Sequence, residues 1–320
     1  MKQLTKIWLF IAVVLILSGA LVFAAAMTAN GWDFTKLSTV THTTNTHTIR
    51  EDFQNISIQT DTADVILLLS DDGQCKVVCL EAENETHAVS LQGETLTIRK
   101  VDSRKWYEAI SIGIKNEQLL VYLPKSEYGT LTVRGSTCDT ETSDAFEFET
   151  IEIDVDTGDV KNFSSASAVT IKTSTGDINI GDVSADTLSL SSSTGDIRMT
   201  STVCTGDIMI RVSTGKVKLT EVSCANLSSF GSTGDLTLKN VIASGILSAE
   251  RSTGDVSLEN SDAAEIRIQT STGDVTGTLL SDKIFITKTD TGTVSVPASK
   301  SGGNCDISTN TGDIRITICG

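Results

Sequence analysis

Beyond residue 140, apolar side chains stand two apart in pairs, and the pairs recur every 18–20 residues. The marker of each recurrence is a Thr-Gly step, with glycines at Gly158, Gly176, Gly195, Gly215, Gly234, Gly254, Gly273, Gly292 and Gly312. Two residues after them come Val160, Ile178, Ile197, Val217, Leu236, Val256, Val275, Val294 and Ile314, and four after come residues such as Ile180, Met199, Leu219 and Leu238. Seven and five before them stand pairs such as Ile151 and Ile153, Val169 and Ile171, Leu188 and Leu190. Period-two alternation marks strands with one buried face. A weaker position seven or eight after the glycine (Val183, Val203, Val222, Val241, Leu280, Cys319) predicts a short third side. A coil this small cannot bury its apolar face alone, so coils must stack and share one core. The pattern predicts an all-β chain, a parallel β-solenoid (β-helix) with coils of about 19–20 residues over 141–320.

The Thr-Gly step suits a corner. Glycine takes positive φ without a Cβ penalty. Thr precedes it nine times, which predicts a Thr ladder, and Ser174, Ser193, Ser213, Ser232, Ser252 and Ser271 add hydroxyls one place earlier. Such hydroxyls can bond the turn backbone or one another. Upstream the register weakens: Ala63 and Cys138 stand where the glycine belongs. Residues 51–140 therefore read as irregular β coils with an insertion near 102–116.

Ile7–Met27 is uncharged and follows Lys2 and Lys6. It is long enough to cross a bilayer as a helix. Ala24-Ala25-Ala26 also fits a signal cleavage site, but the run exceeds a signal's apolar region. The reading is an N-terminal membrane anchor over 1–29, with the lysines holding the N-terminus in the cytoplasm and the head outside. Residues 30–50, rich in Thr, read as an extended stalk.

Charge narrows the partners. Lys+Arg total 25 against Asp+Glu 41, a net charge of −16. Such a chain repels nucleic acid and anionic lipid faces. Aromatic residues make up 5% of the chain, too few for an extended aromatic platform.

The layout resembles a bacterial family of membrane-anchored β-strand-repeat proteins that carry the name "putative adhesin", a domain of unknown function that includes LiaG-like proteins. The residues that carry the resemblance are the N-terminal span, Phe53-Gln54-Asn55-Ile56-Ser57-Ile58 with Asp64-Val65, Leu123-Pro124 after an apolar strand, and the Ser-Thr-Gly-Asp coils. It covers residues 50–320. It implies surface display and brings no catalytic residues.

Candidate chemistry is thin. Asp156-Thr157-Gly158 and Asp290-Thr291-Gly292 look like the two halves of an aspartic protease. That mechanism needs two carboxylates sharing one proton, and in chain order these lie seven coils apart, roughly 33 Å. Asp177, Asp196, Asp235, Asp255 and Asp274 follow their glycines and form a column of calcium candidates, interrupted by Lys216. The same residue type suits a water-facing turn. The chain has seven cysteines, and Cys204 and Cys224, in adjacent coils, are the one pair placed to form a disulfide. His42, His47 and His87 are the only histidines and suggest no metal spacing or triad. Trp106 and Tyr107 beside Arg104 and Lys105 are the candidate binding residues, for an unknown surface protein or glycan. The sum is a cell-surface scaffold without catalysis, with an adhesin-like or envelope-associated interaction role. A polysaccharide-active β-helix enzyme and a regulatory partner of an envelope stress system are the alternatives.

Overall fold

The computed structural model describes residues 2–33, 42–82, 85–102 and 117–319. Lys2–Ala29 is one α-helix, apolar enough over Thr5–Ala29 to cross a membrane (mean hydropathy 2.8). The head is a parallel β-solenoid in which each coil lays its strands in register on the coil below. Ile151 pairs with Val169, Ile153 with Ile171, and Val160 with Ile178. The alternation then points one column per position inward. Ile153, Ile171, Leu190, Ile210 and Ile268 are at most 2% exposed, and each such side chain contributes about 1.5–3 kcal/mol on leaving water.

Each glycine corner has φ between 128° and 153°. A Cβ on Gly176 through Gly312 would sit 2.0–2.3 Å from the carbonyl oxygen of the glycine beneath it. Conformation and crowding both demand glycine. A second corner, six residues on, is left-handed and uses other residues: Asp182, Ser201, Glu221, Asn240 and Asn260 have φ of 47–57°. That conformation is least costly for Asn and Asp. The third side follows the expected column only in part. Val183, Val222 and Val241 are buried, whereas Val203 and Leu280 face solvent and Thr202 and Leu279 take the inward places.

Coil order departs from chain order at both ends. Gly303–Thr311 inserts between Val256–Thr272 and Lys283–Thr291, so the last coil lies inside the one before it. Near the N-terminus, Asn55–Thr60 pairs with Thr95–Asp102 on one side and Glu127–Thr137 on the other. Asp156 and Asp290 are therefore eight coils apart, one more than chain order gives, and no dyad forms. The stalk expected over 30–50 is partly strand. His42–Ile49 pairs antiparallel with Cys75–Ala82, because alternating Thr is β-branched and suits a sheet edge. Cys75–Ala82 pairs antiparallel with Gln118–Leu123, and Glu85–Gln92 with Thr95–Asp102. These antiparallel strands close the N-terminal end of the core. Along the parallel coils that follow, Phe53, Tyr128, Phe146 and Phe148 form one aromatic cluster, Phe53 stacked on Tyr128 and the other pairs tilted or edge-on, with centroids 5.5–6.4 Å apart. The insertion over 103–116 lies outside the described residues.

Candidate functional surface

The aspartate after each glycine has a structural partner. Asp159 Oδ1 accepts the N–H of Asp177, and Asp177 Oδ1 that of Asp196, both at 2.8 Å. Asp196 accepts from Lys216, Asp235 from Asp255, and Asp255 from Asp274. The ladder follows space rather than sequence: Asp274 accepts from Asp313, 39 residues on, and Asp313 from Thr293. The second oxygens of Asp177, Asp196, Asp235 and Asp274 meet cations. Arg198 bridges Asp177 and Asp196 at 2.8 and 2.7 Å, Lys216 holds Asp235 at 3.0 Å, and Arg315 lies 3.9 Å from Asp274. The Lys216 hydrogen bond and the Asp255 N–H hold the Asp235 carboxyl below its usual range. Partial burial pushes the other way at Asp177, but Arg198 and the Asp196 N–H outweigh it and its carboxyl is also lowered. Calcium takes six to eight oxygen ligands. Among the described residues no three His, Cys, Asp or Glu side chains converge on one point. Asp177, Asp196, Asp235, Asp255 and Asp274 instead tie successive coils together.

Hydroxyl bonding to the corner falls on a column other than the expected one. The Ser and Thr columns immediately before the glycines face solvent. Hydroxyls three places before reach the corner from inside: Ser192 Oγ donates to Gly176 O at 3.2 Å, Thr309 Oγ1 to Gly273 O at 3.1 Å, and Thr289 Oγ1 to Gly312 O at 2.9 Å. They satisfy the carbonyl that the next glycine crowds.

One column break lies on this face. Arg251 occupies an inward position and is 3% exposed. Ser229, Gly231 and Ala249 stand where other coils carry larger side chains, and a Cβ on Gly231 would meet the guanidinium at 2.9 Å. Arg251 Nη1 donates to Ser229 O and Glu250 O, and Nη2 to Ser229 Oγ. Burial lowers its pKa to about 10. Outside the same coils, Phe230 stands in the outward column with the Arg211 guanidinium 5.3 Å from its ring centre. With Glu250, Gln269, Ser232 and Ser252 they line a groove of about 320 Å³. The sequence signal was an aromatic residue in an outward column otherwise held by polar and charged residues.

His87, around which the sequence suggested no metal spacing or triad, has close partners. Its Nδ1 lies 2.9 Å from Glu81 Oε2, its Nε2 3.2 Å from Thr60 Oγ1, and Asn45 Nδ2 donates to Glu81 Oε1 at 2.7 Å. The connectivity is that of a hydroxyl–imidazole–carboxylate triad, but Thr60 is 5% exposed and both other side chains at most 1%. A nucleophile must reach substrate. This network instead pins three strands of the N-terminal closure to the first coil. No sequence spacing announced it, since its members come from four strands.

Cys204 and Cys224 are free, buried thiols, so the proposed bridge is not formed. Cys204 Sγ donates to Asp186 O at 3.3 Å, and burial pushes the Cys224 thiol up to about 12. Trp106 and Tyr107 lie outside the described residues.

Among solved structures, the chain is similar to a "putative adhesin" from Bacteroides fragilis, at 13% identity and TM-score 0.43 over 87% of this chain and 97% of that one. It is similar to another from Parabacteroides distasonis at 11% identity and TM-score 0.47, over 87% and 98% of the two chains. A "putative lipid binding protein" from the same species matches at 16% identity and TM-score 0.44, over 86% and 97%. No curated protein matches. The Toastrack DUF4097 family model matches residues 53–316, the whole of the stacked coils up to the final strand; the chain belongs to that family.

Proposed function

We propose that the head is a non-catalytic interaction module displayed outside the membrane on the N-terminal helix, and that the Phe230–Arg211 groove is its contact with a surface glycan. The observation that supports this most is the groove itself. It joins a partly exposed aromatic ring, on which the apolar face of a sugar stacks, to Glu250, Gln269 and serine hydroxyls placed for sugar hydrogen bonds. The parallel ladder around it is rigid, so the groove is formed before the ligand arrives and little ordering entropy is lost on binding. The full chain in detergent, tested on immobilised glycans and matrix proteins, is expected to bind a glycan. Phe230→Ala is expected to weaken that binding tenfold or more with the melting temperature unchanged. Binding to matrix proteins alone, or glycan binding indifferent to Phe230, would refute the assignment.

A further inference from the structure

Arginines on this solenoid are paired with acids, with two exceptions. Six arginines lie between residues 134 and 315. Arg134, Arg198, Arg267 and Arg315 each stand within 4.0 Å of a carboxylate oxygen. Among the described residues no carboxylate comes that close to Arg211 or Arg251. In a chain with 41 acids to 25 bases, two arginines without a counter-ion stand apart from their surroundings, and both belong to the same groove.

They reach it from opposite sides of one strand layer. Arg211 is in the outward column. Its Nη1 meets the Met209 thioether at 2.7 Å, a weak acceptor, and its guanidinium lies over the Phe230 ring. Arg251 lies beneath, packed on Gly231 and 3% exposed. Its acceptors, Ser229 O, Glu250 O and Ser229 Oγ, are all uncharged. Burial alone lowers its pKa, to about 10, so it keeps its charge at neutral pH. Arg251 touches no ligand in the groove and acts through its field, which a cleft with low-dielectric walls concentrates. The outward residues are ordered along the stack. Arg211, Phe230, Glu250 and Gln269 are in register in four successive coils, a file of cation, ring, acid and amide about 14 Å long. The side chains of Glu250 and Gln269 bond no protein group among the described residues.

We infer that the groove takes a saccharide bearing a carboxylate, a uronic acid, laid along the stack with its acid group on Arg211, a ring on Phe230 and hydroxyls toward Glu250 and Gln269. This rests on the glycan assignment and names the class of sugar. A planar carboxylate matches the guanidinium fork through two parallel hydrogen bonds. Glu250, two coils or about 10 Å from Arg211, repels further negative charge on the ligand. The groove therefore favours a singly charged sugar over a densely sulfated or phosphorylated one. Screening over about 8 Å at physiological ionic strength keeps the more distant acidic surface from cancelling Arg211.

The test uses the full chain in detergent on immobilised oligosaccharides of galacturonate and glucuronate. Each stands beside its carboxyl-reduced counterpart, with a sulfated oligosaccharide for comparison. At least one acid form is expected to bind about tenfold tighter than its reduced counterpart, and to lose that advantage in high salt. Arg211→Gln is expected to bring the ratio of acid to reduced binding close to one with the melting temperature unchanged, and Arg211→Lys to keep part of it. Reduced sugars that bind as tightly as the acids, with Phe230 still required, would overturn this inference and leave the glycan assignment standing. A sulfated sugar that outbinds both uronates, or a ratio indifferent to Arg211→Gln, would also overturn it. No glycan binding at all would overturn both.

Discussion

Gly195→Ala probes the glycine column most directly. The new Cβ would lie 2.0 Å from Gly176 O, well inside the roughly 3.5 Å of an ordinary contact. The coil cannot lift to make room. Gly195 N–H is bonded to Thr214 O at 3.0 Å, Gly176 N–H to Thr194 O at 2.9 Å, and Asp196 N–H to Asp177 Oδ1 at 2.8 Å. The φ of 145° is itself strained for alanine, at about 1–3 kcal/mol. Overpacking adds about 1–3 kcal/mol, and the stiffer unfolded chain returns about 0.4–1 kcal/mol. The net loss is about 3–4 kcal/mol, which for a domain of this size lowers Tm by roughly 10 °C. Gly73→Ala is the control. Its φ is 70° with nothing within 4 Å of the added Cβ, so it bears only the left-handed cost of about 1–2 kcal/mol. Thermal unfolding of the full chain in detergent, followed by circular dichroism, compares the two. Equal shifts would show that conformation alone fixes the glycines and that contact between coils does not.

Asp196→Ala removes the acceptor for Lys216 N–H and one Arg198 partner, and should cost about 1–2 kcal/mol. Asp196→Asn keeps the acceptor and should cost less than half as much in the same melt. The lowered carboxyls of Asp177, Asp235 and Asp313 contribute stability above an unfolded value near 3.9 and lose it as pH falls through their lower folded values. Tm should therefore be flat from pH 7 to about 5 and fall below about 4, and Lys216→Met should make that acid loss smaller. The raised carboxyl of Asp64 has the opposite sign and offsets part of it. Iodoacetamide should label Cys319 alone in the folded chain and all seven cysteines after denaturation without reductant. Burial pushes the Cys75, Cys79 and Cys305 thiols up to about 12, which keeps them as unreactive thiols.

The sequence by itself determined the unit. Period-two pairs flanking a Thr-Gly step identified the parallel coil, its inward columns and its glycine corner, because strand alternation and positive φ are local demands. It also located the apolar helix at Ile7–Met27. Three features came only from the tertiary structure. The first is coil order. Every coil carries the same inward columns and the same corner, so the pattern fits a coil equally well at several levels, and only packing places 303–318 inside 283–295. The second is which polar group serves the corner. Exposed Ser174 and Thr175 were conspicuous in the sequence, yet the inward hydroxyls of Ser192 and Thr309 do the bonding, since only they lie beneath the carbonyl. The third is the contact between distant residues. Thr60, Glu81, His87 and Asn45 meet because antiparallel strands fold across the first coil, and Arg251 fits because Gly231 in the coil below has no side chain. A repeat states what each coil must be, and the ends of the stack, where periodicity stops, are decided by what is left to bury.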